Sequence, residues 1–353
     1  MMNSWLITGG AGFIGSAFAN LAFEETSSNL VILDCLSYAG DLQRLSSLRD
    51  ARERIEFVRG DIQDQSTVNE LFKRYEFEKV IHFAAESHVD RSIANPNLFA
   101  MTNVIGTMNL LNAALENWKS CFANKLFVHV STDEVFGSLE ASDQPFNEGS
   151  PYYPNSPYAA SKAASDHFVR AYYETYNLPC VITNCSNNYG PWQYPEKLIP
   201  LIIQNALERK PLPIYGDGLQ IRDWIHVKDH CAAILKVIEK GCPGQTYLIG
   251  SENEISNLEL VEMICSVVDK IESRSQGETR QLIQFVKDRP GHDRRYAIDA
   301  VKTREALRWE PVENFQAGLH SLVLWMKENK SWIDSKRNED YKSYYLKNYG
   351  MEL

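Results

Sequence analysis

Short, almost uninterrupted apolar runs alternate with longer helical patterns through the first half of the chain. Runs of this kind are typical of strands that are buried on both faces, as in a parallel sheet. They lie at residues 5–8, 30–33, 55–58, 79–85, 126–130 and 181–183. Helical periodicity is clearest at residues 16–23, 97–115 and 158–176. This alternation predicts an α/β fold with a Rossmann-type, doubly wound parallel sheet.

After residue 190 the regular alternation of strand and helix breaks. Helical patterns follow at residues 197–208, 227–240, 257–270 and 312–328, with strand-like runs at 212–215 and 245–249. We therefore predict a cofactor-binding domain over residues 1–190, with residues 224–250 packing back on it. The remaining residues, 191–223 and 251–353, are predicted to form a smaller, mixed α/β substrate domain. The tail after Lys330 shows no informative pattern.

A glycine-rich turn, GGAGFIG at residues 9–15, joins the first strand to the first helical pattern. Glycine at its three spaced positions permits a tight turn, close approach of a pyrophosphate to the backbone, and close packing of helix on strand. The helix N-terminus then faces the phosphates. We predict a dinucleotide-binding site formed by Gly9, Gly12, Phe13, Ile14 and Gly15.

Asp34 ends the second strand, about 20 residues past the glycines, where dinucleotide-binding folds place an acid. A carboxylate there accepts hydrogen bonds from the adenosine ribose hydroxyls and repels a 2′-phosphate. The sequence thus favours NAD over NADP. The alternative is an ordinary helix-capping or turn aspartate.

Further cofactor contacts are predicted at the ends of the next strands. Asp61, followed by Ile62, either reaches an adenine edge or caps the next helix. The small side chains of Ala84 and Ala85 let a cofactor lie close, and Thr102 projects from the long helix behind them. Ser87 and His88 are predicted to face the substrate, although a charged turn is the alternative interpretation of this segment.

The stretch from Ser131 to Lys162 carries the candidate catalytic groups. Thr132, Asp133 and Glu134 follow the buried strand at 126–130, and ligands bind at the carboxyl ends of strands in open α/β sheets. Tyr158 and Lys162 are four residues apart in a helical pattern and share a face. Hydroxyl, carboxylates, phenol and ammonium are therefore predicted to converge in one active site.

The charge balance limits the possible partners. A net charge of −10 argues against nucleic acid or an anionic membrane as partner. It does not exclude an anionic small ligand, because basic residues recur in the predicted substrate domain. Each of them alone resembles a solvated surface residue, but together they are predicted to clamp a diphosphate: Lys197, Arg222, Arg289, Arg294 and Arg295.

The expected compartment is the cytoplasm. The seven cysteines are scattered, without a C-x-x-C pair, which indicates reduced thiols. The first strand begins almost at once, leaving no room for a signal peptide. No apolar run approaches the ~20 residues that cross a bilayer. No metal site is predicted.

These motifs resemble the extended short-chain dehydrogenase/reductases that act on nucleotide sugars. The resemblance covers about residues 3–330. It rests on the segments GGAGFIG (9–15), HFAAESHVDRS (82–92), STDEVFG (131–137), YAASK (158–162), NNYGP (187–191), KLIP (197–200), GDGLQIRDWIHVKDH (216–230) and RPGHDRRYAID (289–299). Asp133-Glu134 is the specific part, because the family's 4-epimerases lack the pair and its GDP-mannose dehydratases typically keep only the glutamate.

The resemblance implies a 4,6-dehydration. Tyr158 would take the proton of the sugar 4-hydroxyl while NAD accepts hydride, with Lys162 favouring the phenolate and Thr132 bonding the 4-oxygen. Glu134 would then remove the C5 proton and Asp133 would protonate the departing 6-hydroxyl.

The resemblance also implies nucleotide-sugar contacts and a homodimer. The contacts fall on Ser87, Thr132, Asn187, Lys197, Arg222, Asn257, Arg289 and His292. The helices at 97–115 and 158–176 resemble the pair that forms a four-helix dimer interface. The expected substrate is dTDP-glucose. A UDP-sugar is the alternative, because no residue in the sequence identifies the base of the nucleotide. A catalytically silent NAD sensor or scaffold is a remote alternative, since it would be expected to lose the catalytic residues.

Overall fold

The centre of the protein is a parallel sheet covered by helices on both faces. The computed structural model describes residues 4–48 and 53–351, so the outer ends of the two predicted domains, 1–3 and 352–353, lie outside the described residues. The strands are β1 Ser4–Thr8, β2 Asn29–Asp34, β3 Ile55–Arg59, β4 Phe77–His82, β5 Leu126–Thr132, β6 Cys180–Cys185, β7 Asn187–Tyr189, β8 Leu212–Tyr215, β9 Ile221–His226, β10 Thr246–Ile249, β11 Glu254–Ser256 and β12 Ile283–Val286.

The helices follow the strands in the expected alternation up to β6. They are α1 Phe13–Glu25, α2 Gln65–Arg74, α3 Val89–Ala94, α4 Pro96–Phe99, α5 Thr107–Trp118, α6 Pro157–Tyr176, α7 Leu198–Leu207, α8 Val227–Lys240, α9 Asn257–Ile271, α10 Val301–Leu307, α11 Phe315–Glu328, α12 Lys330–Lys336 and α13 Glu339–Tyr349.

The main sheet has the strand order β3-β2-β1-β4-β5-β6-β10, and all its neighbours pair in parallel. This is the doubly wound order, with β10 added at one edge. The predicted fold class is confirmed. The crossover between β1 and β4 leaves a crevice at the carboxyl ends of the strands, where such folds bind their ligands.

Successive side chains of each strand enter two different cores, which explains the uninterrupted apolar runs. Leu6 of β1 and Phe127 of β5 pack in the core that contains α2, α5 and α6. Their neighbours Ile7 and Val128 pack in the opposite core with α1 and α8. A strand that is buried on both faces has no need of polar residues at alternate positions.

The segment Phe83–Ser87 departs from the sequence prediction, which extended the fourth strand through Ala85. The strand ends at His82. Phe83 N still donates to Thr8 O at 3.1 Å, and the chain then leaves the sheet. Ala84 and Ala85 consequently line the crevice instead of continuing the ladder.

The long helix predicted at 97–115 is one continuous helix over Pro96–Trp118, with a π-helical turn at Ala100–Gly106 between α4 and α5. This helix differs from the expectation that no apolar run approaches the length needed to cross a bilayer, because it is long and apolar enough to do so. Half of its most apolar window, however, is buried inside the protein. That burial is also what a core helix shows. A Cβ on Gly106 would lie 2.6 Å from the Ile62 side chain, so the helix packs closely behind the crevice.

The second half of the chain returns to the sheet before building its own core. α8 packs on α1, and β10 joins the main sheet through β6. β7, β9 and β11 form a three-stranded sheet, and β8 pairs with β12. A separate apolar core with members from α7, α9 and α11 lies under these small sheets.

The tail that showed no pattern in the sequence forms two helices. α13 is capped by the Asn338 side chain, which accepts from Tyr341 N at 3.0 Å, and it ends at Gly350 with φ 66°. Acidic residues in its first turn and Lys347 in its last complement the helix dipole. Tyr341 and Tyr345 share one face and pack with Tyr194 and Leu201.

Candidate active site

The end of β5 places three of the candidate catalytic groups. The strand ends at Thr132, and a 3-10 turn runs from Asp133 to Phe136. The Thr132 hydroxyl accepts from Glu134 N at 3.3 Å and so caps this turn. Because the chain bends here, adjacent side chains face different ways: Thr132 and Glu134 line the crevice, whereas Asp133 does not.

The start of α6 positions the other two candidate catalytic groups, Tyr158 and Lys162. Ser156 caps the helix by accepting from Ala159 N at 3.1 Å, and Pro157 occupies its first turn. Tyr158 therefore stands in the first turn at the crevice wall, with Lys162 one turn deeper. Lys162 Nζ donates to Val130 O at 2.9 Å, which ties the helix to β5.

A buried polar network lies beneath Lys162. The Asp166 carboxylate, one turn further along α6, accepts from the Ser131 hydroxyl at 2.9 Å and from Asn184 Nδ2 at 3.1 Å. Its other oxygen lies 3.1 Å from His129 Nε2. Burial lowers the pKa of Lys162 to about 8, against the opposing effect of Asp166.

The adjacent carboxyl groups of Asp133 and Glu134 differ in proton affinity because their electrostatic surroundings differ. Burial and the charge of Glu134 raise the pKa of Asp133 well above its usual value. Burial also raises the pKa of Glu134, but Arg289 and Arg222 oppose the rise. Asp133 is therefore held as the neutral acid more strongly than Glu134, the arrangement that paired-carboxylate enzymes use for an acid and a base.

The position of Asp133 differs from the sequence expectation that all the catalytic side chains meet in one cleft. The residue is 1% exposed and lies behind the wall. The Thr132 hydroxyl donates to its Oδ1 at 3.3 Å, and its Oδ2 has no partner among the described residues. Asp133 thus reaches the crevice only through Thr132 or by side-chain rotation.

The glycine turn has the geometry expected of a cofactor cradle. Gly9 has φ +68°, and a Cβ there would lie 2.6 Å from Ala84 N. Gly12 precedes α1 without a side-chain cap, so the first amides of the helix are open to an anion. Phe13, Ile14 and Gly15 line the same crevice.

Asp34 stands beside this turn as the spacing predicted. Its Oδ2 accepts from Ala11 N at 2.9 Å and its Oδ1 from Leu36 N at 2.8 Å. Burial raises its pKa against those two hydrogen bonds. Arg44 lies nearby, but its guanidinium donates to the carbonyls of Ala11, Ala39 and Trp192, so it has little capacity left for a 2′-phosphate.

The sequence left open whether Asp61 reaches an adenine edge or caps the next helix. The structure gives no support to the capping role. Asp64 caps α2 by accepting from Ser66 N at 2.9 Å. Asp61 instead accepts from Gln63 N at 2.9 Å, and Gln63 Nε2 donates to the Thr102 hydroxyl at 3.2 Å. Asp61, Ile62 and Thr102 all line the crevice.

The far end of the crevice is cationic. Lys197 Nζ donates to Ser87 O at 2.9 Å. Arg222 donates to Ile221 O at 2.7 Å, and its guanidinium lies 4.1 Å from the Tyr296 ring. Arg289 Nε is buried without a partner among the described residues, so it can donate to a ligand.

The remaining predicted substrate contacts also line this end: Ser87, Asn187, Asn257 and His292. Asn187 Oδ1 and Asn257 Oδ1 are buried acceptors without a partner in the described part of the chain. His292 Nδ1 lies 2.7 Å from Asp288 Oδ1, and burial lowers the pKa of His292 to about 4. Unsatisfied buried polar atoms in a crevice are the groups that a polar ligand completes.

The five-residue cation clamp predicted from the sequence is wrong in two members. Arg294 pairs with Asp217 at 3.1 Å on the surface. Arg295 is held by Glu254 at 2.6 Å. Neither lines the crevice. Three of the five predicted cations therefore remain at the site, because the basic loop at 289–296 brings Arg289 but not Arg294 or Arg295 to the crevice.

Sequence reasoning missed several aromatic residues of the crevice, Tyr215, Tyr296, Tyr344 and Tyr349. Tyr344 and Tyr349 belong to α13. Asn338 and Gly350 are residue types that typically cap helices, so the sequence could have predicted where this helix begins and ends. Nothing in those signals indicates that the helix folds back over the site.

The whole crevice encloses about 680 Å³, within the range of about 300–1,000 Å³ for small-molecule sites. No cluster of three metal-ligating side chains occurs in the described residues.

Comparison with known proteins identifies close relatives. Residues 6–322 match the family model of GDP-mannose 4,6 dehydratase. The dTDP-glucose 4,6-dehydratase of Xanthomonas campestris pv. campestris (strain B100) is 49% identical over 346 residues, covering 97% of this chain and 98% of the relative.

Two solved structures share the fold over nearly the whole chain. The dTDP-glucose 4,6-dehydratase of Bacillus anthracis in complex with NAD has a TM-score of 0.84 and 43% identity, covering 95% of this chain and 100% of that one. DesIV, the dTDP-glucose 4,6-dehydratase of Streptomyces venezuelae with NAD and dTDP bound, has a TM-score of 0.86 and 42% identity, covering 94% and 99%.

Proposed function

This chain belongs to the GDP-mannose 4,6 dehydratase family of extended short-chain dehydrogenase/reductases, and on that premise we propose that it is an NAD-dependent enzyme that converts dTDP-glucose to dTDP-4-keto-6-deoxyglucose and water. The resemblance predicted from the motifs is confirmed. The family as a whole includes other nucleotide-sugar enzymes. The choice of substrate therefore rests on the dTDP-glucose 4,6-dehydratases that are 47–50% identical to this chain.

The observation that carries the dehydration is the pair Asp133 and Glu134 beside Tyr158. An oxidation at C4 alone needs only Tyr158, Lys162 and the cofactor. Elimination of water across C5 and C6 also needs a base for C5 and an acid for the leaving hydroxyl. Asp133, which is buried, and Glu134, which lines the crevice, have separated proton affinities and supply that acid and that base.

The chain's own residues divide the proton transfers. NAD, which the glycine turn and Asp34 would hold, would supply the acceptor for the hydride of C4 and the donor that delivers it to C6. Tyr158 accepts the proton of the 4-hydroxyl, and the Thr132 hydroxyl rotates away from Asp133 Oδ1 to donate a hydrogen bond to that oxygen. The 4-ketone acidifies the C5 hydrogen, which Glu134 removes. Asp133 gives its proton to the 6-hydroxyl, and water leaves. Glu134 then returns a proton to C5 as C6 receives the hydride, which completes the 4-keto-6-deoxy product.

Activation of Tyr158 needs more than Lys162. Burial raises the pKa of Tyr158 well above 10, and the charge of Glu134 adds to the rise. Within the protein alone, the lowering expected from Lys162 is therefore outweighed. The positive charge of oxidised NAD, when bound, would supply a second source of phenolate stabilisation, so deprotonation of Tyr158 would depend on the cofactor.

The substrate lies along the crevice with its glucose at Glu134 and its diphosphate at the cationic end. Lys197, Arg222 and Arg289 supply the charge, and guanidinium groups suit a diphosphate. The unpaired amide oxygens of Asn187 and Asn257 are acceptors for donors of the nucleotide. The base then lies near Tyr215 and His292.

The direct test is incubation of the purified protein with dTDP-, UDP- and CDP-glucose and detection of the 4-keto product. We expect turnover of dTDP-glucose to exceed that of the other two. A preference for UDP-glucose would contradict the choice of base but keep the reaction. Absence of product from all three, with NAD bound, would contradict the reaction itself.

A second prediction concerns the cofactor preference. Replacement of Asp34 by alanine should lower the preference for NAD over NADP by about 10–100-fold, because a charged hydrogen-bond acceptor and the repulsion of a 2′-phosphate are both lost. Titration of the cofactor-free protein with each dinucleotide measures it. Asp34→Asn is the matched variant, since its single amide oxygen can still accept from Ala11 N or Leu36 N while the charge is removed. A wild type that bound NADP as tightly as NAD would contradict the assignment.

Three further predictions from the sequence extend this proposal. A homodimer through α4–α5 and α6 is supported by Leu98, Met101 and Ile105, apolar residues exposed on one face of the long helix. Analytical ultracentrifugation tests it, and a monomer would contradict it.

A cytoplasmic location is supported by the seven free cysteines, and cell fractionation tests it. The predicted division into two domains is supported by the separate core under the small sheets, and limited proteolysis tests it.

A further inference from the structure

The C-terminal helix α13 closes the nucleotide end of the crevice from outside the sheet. Tyr344 and Tyr349 project from it into the lining. The Tyr349 ring lies 5.3 Å from the Tyr215 ring at an interplanar angle of 32°. The Tyr344 ring meets the His88 ring edge-on at 5.3 Å. This helix is remote in sequence from every motif of the site.

Asp90 is the point at which α13 meets the site. Its side chain is 6% exposed and accepts hydrogen bonds from three separate segments. Asp90 Oδ2 accepts from the Tyr344 hydroxyl at 2.7 Å and from the Tyr215 hydroxyl at 3.2 Å. Asp90 Oδ1 accepts from Arg289 Nη1 at 3.3 Å.

The negative charge of Asp90 beside the diphosphate subsite opposes the binding of an anion, so charge attraction does not explain why an acid lies there. Asp90 instead orients the Arg289 side chain. Arg289 has few constraints of its own, because its Nε has no partner among the described residues. The bond to Asp90 fixes the direction of the guanidinium, and Tyr344 and Tyr215 in turn fix the carboxylate. A second link, Arg91 to Asp340 at 3.1 Å, holds the same helix to α3.

We propose that Tyr344 is a positioning residue for nucleotide-sugar binding, acting through Asp90 on Arg289. The inference rests on the proposed function, because it takes the cationic end of the crevice as the diphosphate subsite. It assigns the C-terminal helix to the binding site. It also predicts a larger effect on affinity than on the chemical steps, because Tyr344 contacts Asp90 and not Glu134.

The test compares Tyr344→Phe with Tyr345→Phe in the NAD-loaded full-length protein. Both changes remove one hydroxyl from α13, but the Tyr345 hydroxyl bonds Asn205 Nδ2 at 3.0 Å, away from the crevice. Calorimetry with dTDP gives Kd, and steady-state kinetics give KM and kcat. We expect Tyr344→Phe to raise Kd and KM about three- to tenfold with kcat within about twofold of wild type. Tyr345→Phe should leave all three unchanged.

The route through Asp90 is tested by a double-mutant cycle. In an Asp90→Ala background, Tyr344→Phe should raise the Kd for dTDP by less than about twofold, because Tyr344 then has no carboxylate through which to act on Arg289. Full additivity would overturn the proposal, as would an equal rise in Tyr345→Phe or an unchanged Kd in Tyr344→Phe. Wild-type protein that bound neither dTDP nor UDP would instead overturn the proposed function, and the inference with it.

Discussion

Replacement of Glu134 by glutamine is expected to lower turnover of dTDP-glucose by about 10²–10⁴-fold, the usual cost of losing a general base. The change keeps the shape of the side chain and removes only its ability to take the C5 proton. Turnover in D2O followed by mass spectrometry separates the steps. Wild type should place solvent deuterium at C5 of the product and carry the original C4 hydrogen to C6, whereas Glu134→Gln should slow both product formation and C5 exchange.

Two variants sharpen this result. Asp133→Asn should chiefly slow product formation, since C5 abstraction by Glu134 remains possible while the leaving hydroxyl lacks its proton. The position of Asp133 behind the wall makes this variant informative, because a residue that only shaped the turn would affect exchange and product equally. Glu140→Gln changes an exposed acid of the next loop and should turn over as wild type. If Glu134→Gln still made deuterated product at the wild-type rate, the division of roles would have to be abandoned.

Replacement of Tyr158 by phenylalanine is expected to remove the first oxidation while keeping the fold and the affinity for NAD. Only a hydroxyl is lost, and the ring still packs at 6.3 Å from the Phe99 ring. We expect a fall in kcat of about 10²–10⁴-fold. Loss of the C4 hydrogen from specifically deuterated substrate, followed by mass spectrometry, reports this step directly.

Tyr172→Phe is the matched control. Tyr172 lies on the same helix, and its hydroxyl donates to Asn112 Oδ1 at 2.5 Å away from the crevice. It should leave kcat unchanged. Thermal unfolding and NAD titration of both variants show whether the fold and the cofactor site are intact. Near-normal turnover of Tyr158→Phe would mean that the residue is structural.

The strongest sequence inferences were those in which function follows from local geometry. The glycine turn needed only the strand before it and the helix after it, and Gly9 with φ +68° has the conformation that the pattern requires. Tyr158 and Lys162 share a face because a helix repeats about every 3.6 residues. The buried runs predicted the parallel sheet because residues such as Leu6 and Ile7 enter two different cores.

The errors and omissions fall where the decisive neighbour is distant in sequence. Arg294 and Arg295 were expected in the clamp, but Asp217 and Glu254, brought near by other segments, hold them outside the crevice. Tyr344 reaches Asp90 across a sequence separation of 254 residues, and no local periodicity encodes that contact.

The sequence alone therefore determined the fold class, the cofactor turn and the types of catalytic group, because strand burial, helix periodicity and turn chemistry act over a few residues. Tertiary structure decided which side of the β5 turn each carboxyl faces, which cations reach the ligand, and that the last helix closes the site. Those outcomes depend on burial and charge contributed by segments far apart in the chain. A carboxyl such as Asp133 takes its proton affinity from the groups packed around it, which only the folded chain brings together.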